Sequence, residues 1–259
     1  VNSVPKSGTN LLLQIIEGIP NIQRMQEDEL FQLQKGAYVT SHLPYEKSLA
    51  RKLQENEIKH LLIYRDLRDV TVSLRHFIND KFPEHPLHKV FQERLVTKDE
   101  QLNALIMGID LIGEEQQNKW GIMRYPGVYD EYRLIYEWTK DPSVCSVRFE
   151  DLIEDNNKDE AILSIIEFLF DDFTIQEKQK NLLSAFTNDF RKKQKVIKET
   201  KQTLLQLMKD NINPSQAWTF RKGKKGGWRE EFTVEHKEKF KKITGDFLLE
   251  YGYEKNQLW

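Results

Sequence analysis

The chain has 259 residues, 39% of them hydrophobic and 31% charged, which is enough apolar material for one sizeable core. Its formal net charge of −2 argues against a dedicated nucleic-acid binder, and its one cysteine, Cys145, permits no intrachain disulfide. No apolar run approaches the ~20 residues that cross a bilayer and no signal-peptide pattern opens the sequence, so a cytoplasmic setting is expected, with room for a natural N-terminus longer than Val1.

The first stretch, Val4-Pro5-Lys6-Ser7-Gly8-Thr9-Asn10-Leu11, reads as a strand end, a turn and the start of an apolar helix. Backbone N–H groups, hydroxyls and the positive end of a helix then point at one place, which is a cradle for a phosphate. Lys6 adds a full charge. The lysine precedes the glycine, so the loop is not a Walker A sequence, and a P-loop kinase is disfavoured. Residues 21–34 are polar and helix-tolerant, and residues 37–42 have strand propensity up to Leu43-Pro44, which delivers His42 at a strand end.

Residues 47–56 read as a short helix. The run His60-Leu61-Leu62-Ile63-Tyr64 suits a central parallel strand, and it leads into Arg65-Asp66-Leu67-Arg68-Asp69 and a helix carrying Val70, Leu74, Phe77 and Ile78. Three strand ends thus carry Lys6, His42 and Arg65. In an open parallel sheet ligands bind beyond such ends, so these residues are expected to converge.

Residues 79–140 are irregular around Pro83 and Pro86 and helical at 100–117 and 129–138, the pattern of a lid or binding insert. A strand follows at 144–149. Residues 161–170 place Ile162, Ile165, Ile166 and Leu169 at helical spacing. Between Arg191 and Lys225 basic residues dominate, and the segment Phe220-Arg221-Lys222-Gly223-Lys224-Lys225-Gly226-Gly227-Trp228 combines glycines with cations in a way that suits wrapping a polyanion. A last helix at 237–249 turns Phe240, Ile243, Phe247 and Leu248 inward. The expected fold is α/β: a single domain, residues 1–259, with a central parallel sheet flanked by helices and a P-loop-like phosphate-binding loop after the first strand.

These segments together resemble the sulfotransferases that use 3′-phosphoadenosine 5′-phosphosulfate (PAPS) as sulfuryl donor. Pro5 to Thr9 resembles the family's 5′-phosphosulfate loop, Arg65 to Phe77 its 3′-phosphate segment, Ser41-His42-Leu43-Pro44 the motif of its catalytic base, and Arg221-Lys222-Gly223 through Gly226 and Trp228 its C-terminal phosphate loop. The resemblance implies that Lys6 and His42 are catalytic, as leaving-group stabiliser and base. It assigns Ser7, Gly8, Thr9 and Asn10 with Lys6 to the 5′-phosphosulfate, and Arg65, Ser73, Arg221, Lys222 and Gly223 to the 3′-phosphate. Phe149 and Phe186 stand where adenine contacts are expected. No metal is implied.

The implied reaction is in-line transfer of a sulfuryl group from PAPS to a hydroxyl or amine, leaving adenosine 3′,5′-bisphosphate. The acceptor would be a small molecule, lipid or glycan, covered by residues 79–140. Two departures matter: Leu11 stands where the family often has Trp, and Thr40 where a Lys commonly precedes the base motif. They leave open an alternative, a catalytically impaired adenosine 3′,5′-bisphosphate-binding protein of the same fold. Arg229, Thr233, Val234 and Glu238 are similar to a short pattern through which many members dimerise, so a homodimer is a further expectation.

Overall fold

In the computed structural model, which describes residues 1–111, 121–170, 188–216 and 223–259, the chain forms two compact units. The first gathers Val1–Ser3, Gly8–Tyr64 and Glu137–Phe220; the second gathers Val4–Ser7, Arg65–Tyr136 and Arg221–Trp259.

The first unit is built on a parallel sheet of order β1 (Asn2–Ser3), β4 (His60–Tyr64) and β7 (Val144–Arg148), with Ser41 bridged to Asn2 beyond β1. Register pairs Asn2 with Leu62, Ser3 with Ile63 and Tyr64 with Arg148. The continuous apolar run of β4 is explained by its central place, where Leu61, Leu62 and Ile63 are buried. A smaller parallel pair joins β2 (Gln23–Arg24) to β3 (Ala37–Tyr38). Around the main sheet stand α1 (Thr9–Glu17), α2 (Lys47–Glu55), α7 (Phe149–Ile153), α8 (Asp155–Leu169) and α9 (Asn188–Asp210). The sheet is therefore flanked by helices, as expected.

One core joins Leu12, Ile15 and Ile16 of α1, Ile63 and Val147 of the sheet, Ile162, Ile165 and Ile166 of α8, and Leu205 and Met208 of α9. Each such side chain, fully buried, contributes about 1.5–3 kcal/mol. Gly18 lets α1 and α9 approach closely: a Cβ there would stand 2.6 Å from the Met208 Cα.

The second unit packs α3 (Leu67–Asp80), α4 (Pro86–Glu93), α5 (Lys98–Met107), α6 (Val128–Tyr136), α10 (Trp228–Glu231), α11 (Val234–Thr244) and α12 (Phe247–Glu250) with an antiparallel pair, β5 (Ile109–Asp110) and β6 (Arg124–Tyr125). A Thr97–Glu100 capping box starts α5. Two expectations need correction here. The helix expected at 100–117 ends at Met107, because Gly108 turns to φ +76 against the backbone of Tyr125 and Pro126; residues 112–120 lie outside the described residues. The single helix expected at 237–249 is two helices, broken at Gly245 with φ +55. In the first unit, residues 21–34, polar and helix-tolerant in sequence, hold β2 and a 3-10 turn at Glu27–Gln32.

Candidate functional site

The second unit carries the lysine of the first loop. Ser7 N–H closes a turn on the Val4 carbonyl at 3.1 Å, and Lys6 adopts a left-handed φ of 66°. Its Nζ stands 3.6 Å from the Phe77 ring centroid. Burial, assisted by the positive charge of Arg65, pushes the Lys6 ammonium down to about 8.

Arg65 follows β4 directly and ties two distant backbone segments together. Its Nη1 donates to the Lys6 carbonyl at 3.4 Å and its Nη2 to the Lys224 carbonyl at 2.7 Å. The Tyr136 hydroxyl donates to the Arg65 carbonyl, and Asp69, one turn along α3, faces the guanidinium at 3.6 Å. Asp69 in turn accepts from the N–H of Gly226 at 2.7 Å and of Trp228 at 2.9 Å. Burial raises its carboxyl above the ordinary range, against the opposing influence of Arg65 and these two N–H bonds. The loop turns sharply through Gly223 at φ 57° and Gly226 at φ 71°. Ser73 is half-buried two turns along α3 from Arg65. Arg221 and Lys222 lie outside the described residues.

The first unit carries the rest. Gly8 begins α1 at φ +100°, and its carbonyl accepts from the N–H groups of Leu11 and Leu12. A Cβ on Gly8 would stand 2.4 Å from Phe149 Cδ2, so this position needs glycine both for space and for backbone conformation. Phe149, 5% exposed within the core, supports the loop from beneath. Gly8, at the N-cap of α1, offers no side-chain cap of its own, and the helix begins with Thr9 and Asn10. Phe186 lies outside the described residues.

His42 follows the Ser41 bridge. Its Nδ1 donates to the Ser3 carbonyl at 2.7 Å, which places the proton on Nδ1 and leaves the Nε2 lone pair to accept one. Ser3 Oγ stands 3.1 Å from the same Nδ1 and 2.9 Å from Thr9 Oγ1, so one buried hydroxyl links the imidazole to the first turn of α1. The backbone just past His42 is held too. Asn2 exchanges two hydrogen bonds of 2.9 Å with the N–H and carbonyl of Leu43, whose carbonyl also accepts from Trp138 Nε1.

Sequence reasoning missed Ser3, Asn2 and Asp69. A hydroxyl ending the strand before a phosphate loop, and an acid one helical turn after Arg65, were the available signals.

A family model described as a sulfotransferase domain matches residues 23–255. The chain belongs to the sulfotransferase family. Sulfuryl transfer is therefore the general chemistry its family membership supports. Among curated sulfotransferases, the rabbit (Oryctolagus cuniculus) amine sulfotransferase is 27% identical over 222 residues, 83% of this chain and 64% of that protein. The human (Homo sapiens) sulfotransferase 6B1 is 27% identical over 271 residues, 95% of this chain and 76% of that protein. The chain thus spans just under two thirds of the rabbit relative's length. Among solved structures, mouse sulfotransferase SULT7A1 complexed with PAP superposes with a TM-score of 0.56 at 20% identity, over 96% of this chain and 83% of that one. That likeness establishes a shared sulfotransferase fold.

The family match begins at residue 23, after the first loop. Leu11 is half-buried against the first unit's core, and the Thr40 hydroxyl is buried with no hydrogen-bond partner among the described residues.

Proposed function

We propose that this sulfotransferase transfers the sulfuryl group of PAPS to a hydroxyl or amine of a small-molecule, lipid or glycan acceptor, with His42 as the base. The acceptor oxygen or nitrogen attacks sulfur, the bond from sulfur to the bridging oxygen of the 5′-phosphate breaks, and the acceptor proton passes to His42 Nε2. Negative charge grows on the departing phosphate. Lys6, Ser7, Gly8, Thr9 and Asn10 would meet it there, and fixed donors aimed at developing charge are usually the largest catalytic contribution. Arg65, Ser73, Arg221, Lys222 and Gly223 would hold the 3′-phosphate.

The observation that carries this reading is the Nδ1 bond of His42 to the Ser3 carbonyl, which sets the tautomer a base requires. The test is transfer of labelled sulfate from PAPS to an acceptor panel. His42→Ala is expected to lose roughly 10²–10⁴-fold in kcat while still binding adenosine 3′,5′-bisphosphate. Lys6→Ala should lose comparable activity. Wild-type turnover in the His42 variant would remove it as the base.

One observation favours a second reading. Thr40 stands where the family commonly has a Lys, and its buried hydroxyl supplies no charge. A catalytically impaired adenosine 3′,5′-bisphosphate-binding protein would show calorimetric binding with no transfer to any acceptor. A homodimer through Arg229, Thr233, Val234 and Glu238 is also proposed, supported by Val234 being 76% exposed; a monomer mass in light scattering at micromolar concentration would count against it.

A further inference from the structure

Arg68 is 0% exposed, yet it lies three residues from Arg65 in the segment assigned above to the nucleotide. A buried guanidinium is costly unless every direction around it is compensated. Here two carboxylates and two ring faces supply the compensation. Nη2 donates to Asp66 Oδ2 at 2.6 Å and Nε to Asp66 Oδ1 at 2.9 Å, while Nη1 donates to Glu254 Oε1 at 2.6 Å. The guanidinium carbon stands 3.9 Å from the Trp228 ring centroid and 4.4 Å from that of Trp259. The two indoles meet edge to face at 5.5 Å and 86°, forming two walls of one cage.

The partners come from three places. Asp66 caps α3 by accepting from the Arg68 N–H. Trp228 ends the glycine loop whose N–H groups at 226 and 228 bond to Asp69. Glu254 and Trp259 belong to the segment after α12. Asp69 therefore holds the loop's backbone, and Arg68, on the same turn of α3, holds its indole against the distal segment.

We propose that Glu254 and Trp259 are positioning residues for donor binding: through Arg68 they seat Trp228 and so fix the Gly223–Trp228 loop in the shape that receives the nucleotide 3′-phosphate. This inference rests on the donor reading above. Neither residue is assigned a contact with the donor; both act through Arg68. Their effect is to pre-order a loop that would otherwise be ordered at the expense of binding energy.

The test uses Trp259→Ala, Trp259→Phe and Glu254→Gln in the full chain, with two readouts. In calorimetry with adenosine 3′,5′-bisphosphate, Trp259→Ala is expected to weaken binding about tenfold, the loss of one desolvated cation–π face, with acceptor KM changed less than about twofold. Trp259→Phe should recover most of the loss because it restores a ring face. In hydrogen exchange, the peptide spanning residues 223–230 should exchange faster in Trp259→Ala while the β4 peptide does not. If Trp259→Ala fails to fold, Glu254→Gln carries the test, with binding about threefold weaker and the same local exchange. Unchanged nucleotide affinity and unchanged loop exchange would overturn the proposal, as would equal acceleration of exchange in β4, the mark of a merely structural role. Wild-type protein that does not bind the nucleotide would instead defeat the donor reading, while the exchange arm would still decide whether the cage orders the loop.

Discussion

Replacing Gly8 by alanine tests the physical reading of the first loop most directly. The new Cβ would stand 2.4 Å from Phe149 Cδ2, 3.0 Å from Cε2 and 3.4 Å from Ile63 Cδ1, on a backbone at φ +100°. Phe149 is locked into the core, so the ring cannot swing aside without opening a void elsewhere. The unfavourable backbone costs roughly 1–2 kcal/mol and the overpacking roughly 1–3 kcal/mol, together about 2–5 kcal/mol. For a protein of this size that is a fall in Tm of roughly 5–15 °C. Urea unfolding followed by circular dichroism measures the loss. The cause is isolated by a double-mutant cycle with Phe149→Ala: the steric share of the Gly8→Ala cost should vanish once the ring is gone, giving a coupling of about 1–3 kcal/mol. A Gly8→Ala variant within about 0.5 kcal/mol of wild type, or strict additivity in the cycle, would refute the argument.

Other outcomes follow from the same geometry. Ser3→Ala keeps the carbonyl that fixes the His42 tautomer but removes the hydroxyl between His42 and Thr9; kcat should fall about 3- to 10-fold with donor KM little changed, and an unaltered kcat would show the link to be idle. Lys6 titrates near 8 when no anion is bound, so binding of adenosine 3′,5′-bisphosphate should weaken as pH rises through that value, and a pH-independent affinity between 7 and 9.5 would contradict it. The same depressed value has the opposite effect on stability. Above about 8 the folded chain has released a proton that the unfolded chain keeps until about 10.5, so this group's contribution to stability rises with pH across that window. His60 is 8% exposed and packed edge to face on Trp138, and burial pushes it down to about 3. The unfolded imidazole takes up a proton near 6.5 and the folded one does not, so stability should fall as pH drops from about 6.5 toward 3, and His60→Leu should flatten that limb of the Trp138-reported stability curve.

The parts of the fold legible in the sequence are those decided locally. His60–Tyr64 matches its observed strand because five consecutive residues with apolar bulk suit a central parallel position, and Lys47–Glu55 matches because its periodicity and polar face need no distant partner. The break at Gly245 was not legible, since Phe240 and Phe247 keep a plausible helical spacing straight through it. Asp69 shows the deeper limit. Its place one helical turn after Arg65 speaks only of the local ion pair, and nothing in the sequence announces its bonds to the N–H groups of Gly226 and Trp228, 157 and 159 residues away. Ser3 was overlooked for the related reason that a hydroxyl acquires meaning only when the fold brings His42 beside it, 39 residues later.

Arg65 joins these threads, because its position asks more of it than charge. Its planar guanidinium reaches the carbonyls of Lys6 and Lys224 at once, from segments 59 and 159 residues away, while facing Asp69. A lysine ammonium carries the same charge but has no fork with which to span two carbonyls in one plane. Arg65→Lys should therefore weaken adenosine 3′,5′-bisphosphate binding by more than tenfold and speed amide exchange at residues 223–230, although the net charge is unchanged. Near-normal affinity in that variant would mean that a positive charge is all this position supplies, and that the bonds to the two loops are a consequence of the fold rather than part of how the donor is held.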